Sequence, residues 1–252
     1  MADITFDATA SGFTTSSATF DYTHVMGSVT NGVVLVYCAD PSFGGAGGTP
    51  TYAGNAMTLA GNSGNGSLIW YFVNPPAGSN TVHVDFGGAP NAFQIWMSIA
   101  VSYANVNQTT PVVSASAGFN AAPSGTTTTG NMAGAASDAI VGCAAHSNTG
   151  APPSVTAGSG FTQRNILQQS HTGNGSTSFA EDQTTGLTTS DPATYGAGGG
   201  AGHPIDMVAV RLQQPPPPSD ISKISGDALA NIAKVSGVAK ASIHKVSGVF
   251  NA

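Results

Sequence analysis

Residues Leu68 to Phe86 constrain the fold of this chain more than any other stretch. Leu68–Val73 is an unbroken apolar and aromatic run, Leu-Ile-Trp-Tyr-Phe-Val, and it stops at Asn74-Pro75-Pro76-Ala77-Gly78, a dense cluster of turn formers. Beyond the cluster Val82, Val84 and Phe86 alternate with Thr81, His83 and Asp85. A period of two sends successive side chains to opposite faces, so this is a strand with one face in a core and one in water. The pair predicts a central strand, a sharp corner and a neighbouring half-buried strand.

The same signals recur along the chain. Further strands are predicted at Ile4–Ala8, Ser17–Tyr22, Gly32–Ala39, Ala56–Ala60, Phe93–Tyr103, Val112–Ala115, Asp138–Ala145, Phe161–Gln168, Thr177–Ala180 and Ile205–Leu212. In the long strand Ile95, Met97, Ile99, Val101 and Tyr103 share one face, predicted inward, and Trp96, Ser98, Ala100 and Ser102 the other. Between strands the loops are simple: Gly44–Gly48, Asn62–Gly66, Ser124–Gly130 and Gly196–Gly202. The last is glycine-rich but opens no helix, so it is no dinucleotide loop. About a dozen short strands without helical periodicity predict an all-β fold, a two-sheet antiparallel sandwich of jelly-roll type.

Charge narrows the partners. Charged residues are 7% of the chain, against about 25% in ordinary soluble domains. Residues 1–212 hold ten acidic side chains and two cations, Arg164 and Arg211, whereas residues 220–252 hold Asp220 and Asp227 against Lys223, Lys234, Lys240 and Lys245. Phosphate binding needs clustered cations, so no nucleic-acid partner is expected. Met1–Asp7 has neither a basic nor an apolar segment, and no run reaches the roughly 18 apolar residues of a membrane span, so neither a secretory signal nor a membrane is expected. Cys38 and Cys143 lie in apolar runs; one disulfide fits the count, but buried free thiols are the reading preferred here.

The pattern ends at Pro215–Pro218, a stiff spacer. A sandwich domain over 1–212, a Pro-rich linker over 213–219 and a tail over 220–252 are expected. The tail repeats with period 11 as x-I-x-K-[IV]-S-G, aligning Ile221, Ile232 and Ile243, then Lys223, Lys234 and Lys245, then Ile224, Val235 and Val246. Recurring Ser-Gly suggests short helical turns, with Asp227 a suitable N-cap and Gly237 a stop. On such turns the Ile and Val pairs would share one face with the lysines beside it. Too small to build a core, the tail is expected to dock on a partner through these nine residues.

Catalytic chemistry is not indicated. Glu181 and Asp182 are adjacent, which on a strand sends them to opposite faces, and they read as a solvated loop charge. His83 and Asp85 share a strand face without a third metal ligand; His203 and Asp206 flank the last strand; His24, His146 and His171 sit in turn-rich settings. No catalytic residue, metal or cofactor is therefore expected, nor enzymatic activity. Trp70 and Trp96 read as core packing rather than a sugar-stacking platform.

Thr51-YAGNAMTLAG, Leu68-IWYFVNPPAGSNTVHVDF and Ile99-AVSYANVNQTTPV resemble a β-sandwich module of bacteriophage structural proteins and bacterial surface proteins, over roughly residues 30–212. Asn105 stands where that family tends to have Gly at a corner. The tail is similar to the I-x-K-[IV]-x-G-V repeats that end phage virion proteins. The resemblance implies a virion structural protein on the particle exterior, a head decoration, fibre or tail-fibre component. It would assemble in the host cytoplasm as a homotrimer, with other virion proteins as partners. A carbohydrate-binding adhesin module contacting a host-surface glycan is the alternative.

Overall fold

Strands, and among the described residues only strands, carry the chain. The computed structural model describes residues 2–39, 48–121, 125–198 and 204–216, together with the backbone of 234–235 and 238–239. The chain divides into two units, Met1–Pro215 and Pro216–Ala252.

The first nine strands are β1 (Thr5–Thr14), β2 (Thr19–Met26), β3 (Val33–Ala39), β4 (Thr51–Tyr52), β5 (Asn55–Ala56), β6 (Thr58–Asn62), β7 (Ser67–Val73), β8 (Gly78–Asp85) and β9 (Trp96–Ala104). They form two antiparallel sheets, ordered β1-β9-β3-β7-β6 and β2-β8-β4-β5. The next ten are β10 (Val112–Asn120), β11 (Gly125–Thr128), β12 (Met132–Ala133), β13 (Ala139–Thr149), β14 (Ser154–Ala157), β15 (Thr162–His171), β16 (Asn174–Gln183), β17 (Ser190–Asp191), β18 (Thr194–Gly198) and β19 (Ile205–Leu212). Their sheets are ordered β10-β19-β13-β16-β15 and β11-β18-β14, with a small β12–β17 pair.

All the predicted strands are present, and the antiparallel sandwich is built twice. The two five-stranded sheets pack face to face, β1 against β15, β9 against β16, β7 against β19 and β6 against β10. Leu35, Tyr37, Ile69 and Val101 meet Val141, Cys143, Val208 and Val210 there. The reverse faces of the same strands fill two further cores. Val34, Val36, Trp96 and Ala100 pack on Val82, Val84 and Phe86 of one outer sheet. Ile140, Ala144, Phe179 and Met207 pack on Val155, Tyr195 and Ala197 of the other. Four layers result, with the central strands β3, β9, β13, β16 and β19 buried on both faces.

Several expectations change accordingly. β9 buries both faces, not only that of Ile99, Val101 and Tyr103, because outer strands cover Trp96 and Ala100. β7 and β8 belong to different sheets, so the Asn74–Ala77 corner crosses between layers instead of pairing neighbours. The strands absent from the sequence reading (β4, β11, β12, β14, β17 and β18) are short, and most are rich in Thr, Gly and Ala, with little apolar alternation to reveal them. In the tail, Lys234–Val235 (β20) pairs antiparallel with Val238–Ala239 (β21), Val235 opposite Val238. A helical turn is thus replaced there by a strand pair with two residues between. β-branched Val favours an extended backbone over a helix.

Antiparallel pairing sorts the connections to two ends. Ala39, Leu68 and Trp96 lie at the end where Thr14 lies, and His146, Asn174 and Ile205 lie there in the other inner sheet. Ser63, between β6 and β7, donates to Asp206 at the start of β19, so the two sheets share that end. At the opposite end the Gln214 side chain donates to Ala2 O and the Gln213 backbone accepts from Asn107 N.

The inner sheets approach closely at Gly61. A Cβ there would lie 2.9 Å from Val208 Cγ2 and 3.4 Å from Val210 Cγ1. Gly61→Val should overpack this contact and lower stability by about 1–3 kcal/mol. Urea unfolding checks it: the midpoint should fall with the slope unchanged.

Candidate functional site

Apolar alternation positions the strands, and the polar residues set into them collect in three buried seams. The first lies inside the N-terminal sandwich and joins Asp7 (β1), His24 (β2), Tyr52 (β4) and Ser102 (β9). Ser102 Oγ donates to Asp7 Oδ2 at 2.8 Å and accepts from Ala8 N at 3.1 Å. It lies 3.3 Å from His24 Nε2, while His24 Nδ1 lies 3.1 Å from the Tyr52 hydroxyl. Serine, histidine and aspartate thus meet, but in the wrong order for a nucleophile. With its proton committed to Asp7, Ser102 must accept from Nε2–H, and Nδ1 then accepts from Tyr52. The carboxylate holds the serine rather than orienting the imidazole as a base. Ser102 and His24 are both fully buried, and the array closes two sheets together. Burial pushes the His24 imidazole below its ordinary range.

The second seam corrects the reading of Glu181 and Asp182. They stand on strand β16, and both are buried. They do point to opposite faces, but each face of an inner sheet is a core. Asp182 accepts from Arg164 Nε at 2.8 Å, and the Arg164 guanidinium lies 4.3 Å from the centre of the Phe6 ring. Burial, and then the Asp182 carboxylate, hold the Tyr103 hydroxyl well above the usual phenol range. Glu181 has no cation. Its Oε2 accepts from Gly158 N at 3.0 Å, and Oε1 has no hydrogen-bond donor among the described residues. Burial therefore pushes its carboxyl up to about 9.

The third seam binds the two inner sheets. Asp206 Oδ2 accepts from Ser63 Oγ at 2.6 Å, and Tyr37 and Ser67 exchange a 2.9 Å hydrogen bond close by. Burial raises the Asp206 carboxyl, against the opposing pull of Ser63 and Ser67. At the opposite end Arg211 is fully buried. It donates to Asp138, Asp191 and the carbonyls of Met132, Ala135 and Thr188. Arg211 and Asp138 stand 73 residues apart in sequence, and the fold brings them together.

His83 Nδ1 lies 2.6 Å from Asp21, not on Asp85, in an exposed cross-strand pair. No group of three His, Cys, Asp or Glu able to hold a metal occurs among the described residues. His24 and His146 are on strands and buried, not in turns. Cys38 and Cys143 are free and buried. Trp96 stacks on Phe86 at 4.6 Å, and Trp70 is half-buried against the first outer core. The exposed rings are elsewhere: Phe13, Phe93 and Phe119 are 43%, 59% and 48% exposed, at the end shared by Ser63 and Asp206. Asn174 Nδ2 donates to Phe93 O, tying that loop to the β15–β16 turn.

Of the predicted docking residues, Ile221, Lys223, Ile224, Ile232, Ile243, Lys245 and Val246 lie outside the described residues. For Lys234 and Val235 the backbone alone is described, on β20. No helix among the described residues is long and apolar enough to cross a membrane. No known family, no curated protein and no solved structure matches this chain.

The seams make opposite demands on pH. Glu181 titrates higher folded than unfolded, so its neutral form costs nothing below about pH 4.5 and stability is lost as pH rises toward 9. His24 titrates lower folded than unfolded, so stability is lost as pH falls below the ordinary histidine range. Glu181→Gln keeps an acceptor for Gly158 N and removes the ionisation. Between about pH 5 and about pH 9 the wild-type Tm should fall by a few degrees and that of the variant by clearly less. Calorimetry across that range is the check; parallel curves would mean Glu181 does not set the alkaline limb.

Proposed function

We propose that this protein is a structural component of a virion exterior, a head decoration, fibre or tail-fibre subunit. In this reading the segment beyond Pro216 attaches it to its neighbours. One observation carries the proposal: the described chain leaves its body at the end where Gln214 meets Ala2, away from the end where Ser63 meets Asp206 and Asn174 meets Phe93. A body anchored from one end and presenting the other is the layout such a subunit needs. The resemblance of its aromatic strand, N-P-P-x-G corner and K-[IV]-S-G repeats to phage structural proteins supports this reading. So does Asn105, which takes the left-handed φ of +60° that a glycine would take at that corner. A jelly-roll winding of each half between its inner and outer sheets is part of this proposal. A homotrimer within the particle, beside other virion proteins, is the assembly proposed.

Carbohydrate binding to a host surface is the second reading, favoured by Phe13 and Phe93 at the presented end. Aromatic rings stack on the apolar faces of sugars, and neighbouring Asn side chains can bond to hydroxyls. A glycan array separates the two: a purely structural subunit gives no reproducible hit, and a hit lost in Phe93→Ala favours the adhesin.

Attachment through the tail is tested by Ile232→Asp with Val235→Asp. Two apolar side chains withdrawn from a partner, each worth about 1.5–3 kcal/mol, should cut incorporation more than about tenfold while the body keeps its Tm. Mass spectrometry of purified particles reads the occupancy. Wild-type incorporation of the double variant, or absence of the protein from particles, would sink the proposal.

A further inference from the structure

We infer that residues 2–107 and 108–216 are two copies of one sandwich module fused in tandem, and that the inner face of this module is a docking surface whose partner is a second module of the same topology.

No sheet mixes the halves: every strand up to β9 pairs within the first, and every strand from β10 to β19 within the second. The strand orders are the same. Replacing β1, β9, β3, β7 and β6 by β10, β19, β13, β16 and β15 converts one inner sheet into the other. Replacing β2, β8 and β4 by β11, β18 and β14 does the same for the outer sheets.

The irregularities match as well. Ala39 and Ala145 pair with Met97 and Asp206, which makes these last two equivalent positions. Counted from there, the edge strand β1 has its register shift between Phe6 and Thr9, and β10 has its own between Val112 and Ser114, within the equivalent stretch. The other edge strands shift between Leu59 and Gly61 and between Gln163 and Asn165, again in step. Bulges are specific local features, so two shared positions on top of a shared strand order are not expected of unrelated sandwiches. Gly12-Phe13 and Gly118-Phe119 also coincide.

The contact between modules repeats itself. β1 on β15 and β6 on β10 are one edge contact seen twice, exchanged by a two-fold axis along the strands. Thr9 receives the Asn165 side chain at one edge, and Ala115 faces Gly61 at the other. Side chains then break the symmetry. One corner sets Phe6 and Tyr103 on Arg164 and Asp182. The equivalent corner sets Val112 and Leu212 beside Ala60 and Tyr71, all apolar or aromatic. Asp206 finds its Ser63 donor only when the second module faces the first. Two copies of the second module would bury two such carboxylates without that serine, so the pair that forms is one of each.

A single connection joins the modules, residues 105–111, and Thr109 and Thr110 within it are exposed. The test uses the full chain with a protease site inserted between these two threonines and cut after folding. The cut protein should elute as one species at the uncut size with unchanged β-sheet circular dichroism. Mixed with isotope-labelled cut protein in mild urea and returned to buffer, it should give hybrids carrying one fragment from each source. Native mass spectrometry should find each first module with a second module. Fragments that elute apart, lose their β-sheet signal or pair indiscriminately would overturn the inference.

Discussion

Burial of both faces of the central strands of the two inner sheets is the constraint on which the rest of this structure depends. A strand between two cores has no solvent side on which to place polar groups, so each polar side chain it carries needs a partner inside. β9 and β16 carry Ser98, Ser102, Ser176, Thr177 and Ser178 at buried positions. The seams around Ser102, Asp182 and Asp206 follow from this demand. So does Arg211, a charge with no route to water that is surrounded by two carboxylates and three carbonyls.

Where the demand is met by a cation or by several donors, the seam locks neighbouring layers. Glu181 is the exception, since a single backbone N–H does not offset the loss of water around a carboxylate. It remains neutral across the physiological range, while the His24 imidazole, flanked by serine and tyrosine, also remains neutral. Neutral polar groups thus hold layers together beside two buried sets of ion pairs, Arg164 with Asp182 and Arg211 with Asp138 and Asp191.

The inner double layer runs from the end where Gln214 meets Ala2 to the end where Ser63 meets Asp206. Its quasi-symmetric construction gives both ends their breadth without a long single sheet.

How much was legible in the sequence depended on whether the signal was local. Period-two alternation and turn chemistry are properties of a few adjacent residues, so the antiparallel sandwich and its predicted strands could be read directly from runs such as Val82–Phe86. Free, buried thiols at Cys38 and Cys143 followed likewise from their apolar neighbours. What lay beyond reach was whatever depended on a second layer. Glu181 and Asp182 look like a surface charge because sequence shows their alternation but not the sheet that covers each face. β7 and β8 look like neighbours because a Pro-Pro corner reads the same whether it turns within a sheet or crosses to another. The duplication left almost no local trace, since equivalent positions hold Tyr71 and Asp182, or Met97 and Asp206, and only pairing register aligns them. Sequence by itself determined the class of fold, because backbone period and turn propensity are set within a few residues. The layering, the seams and the pairing of the two modules were decided by tertiary structure, because which face meets water is settled only when distant strands pack.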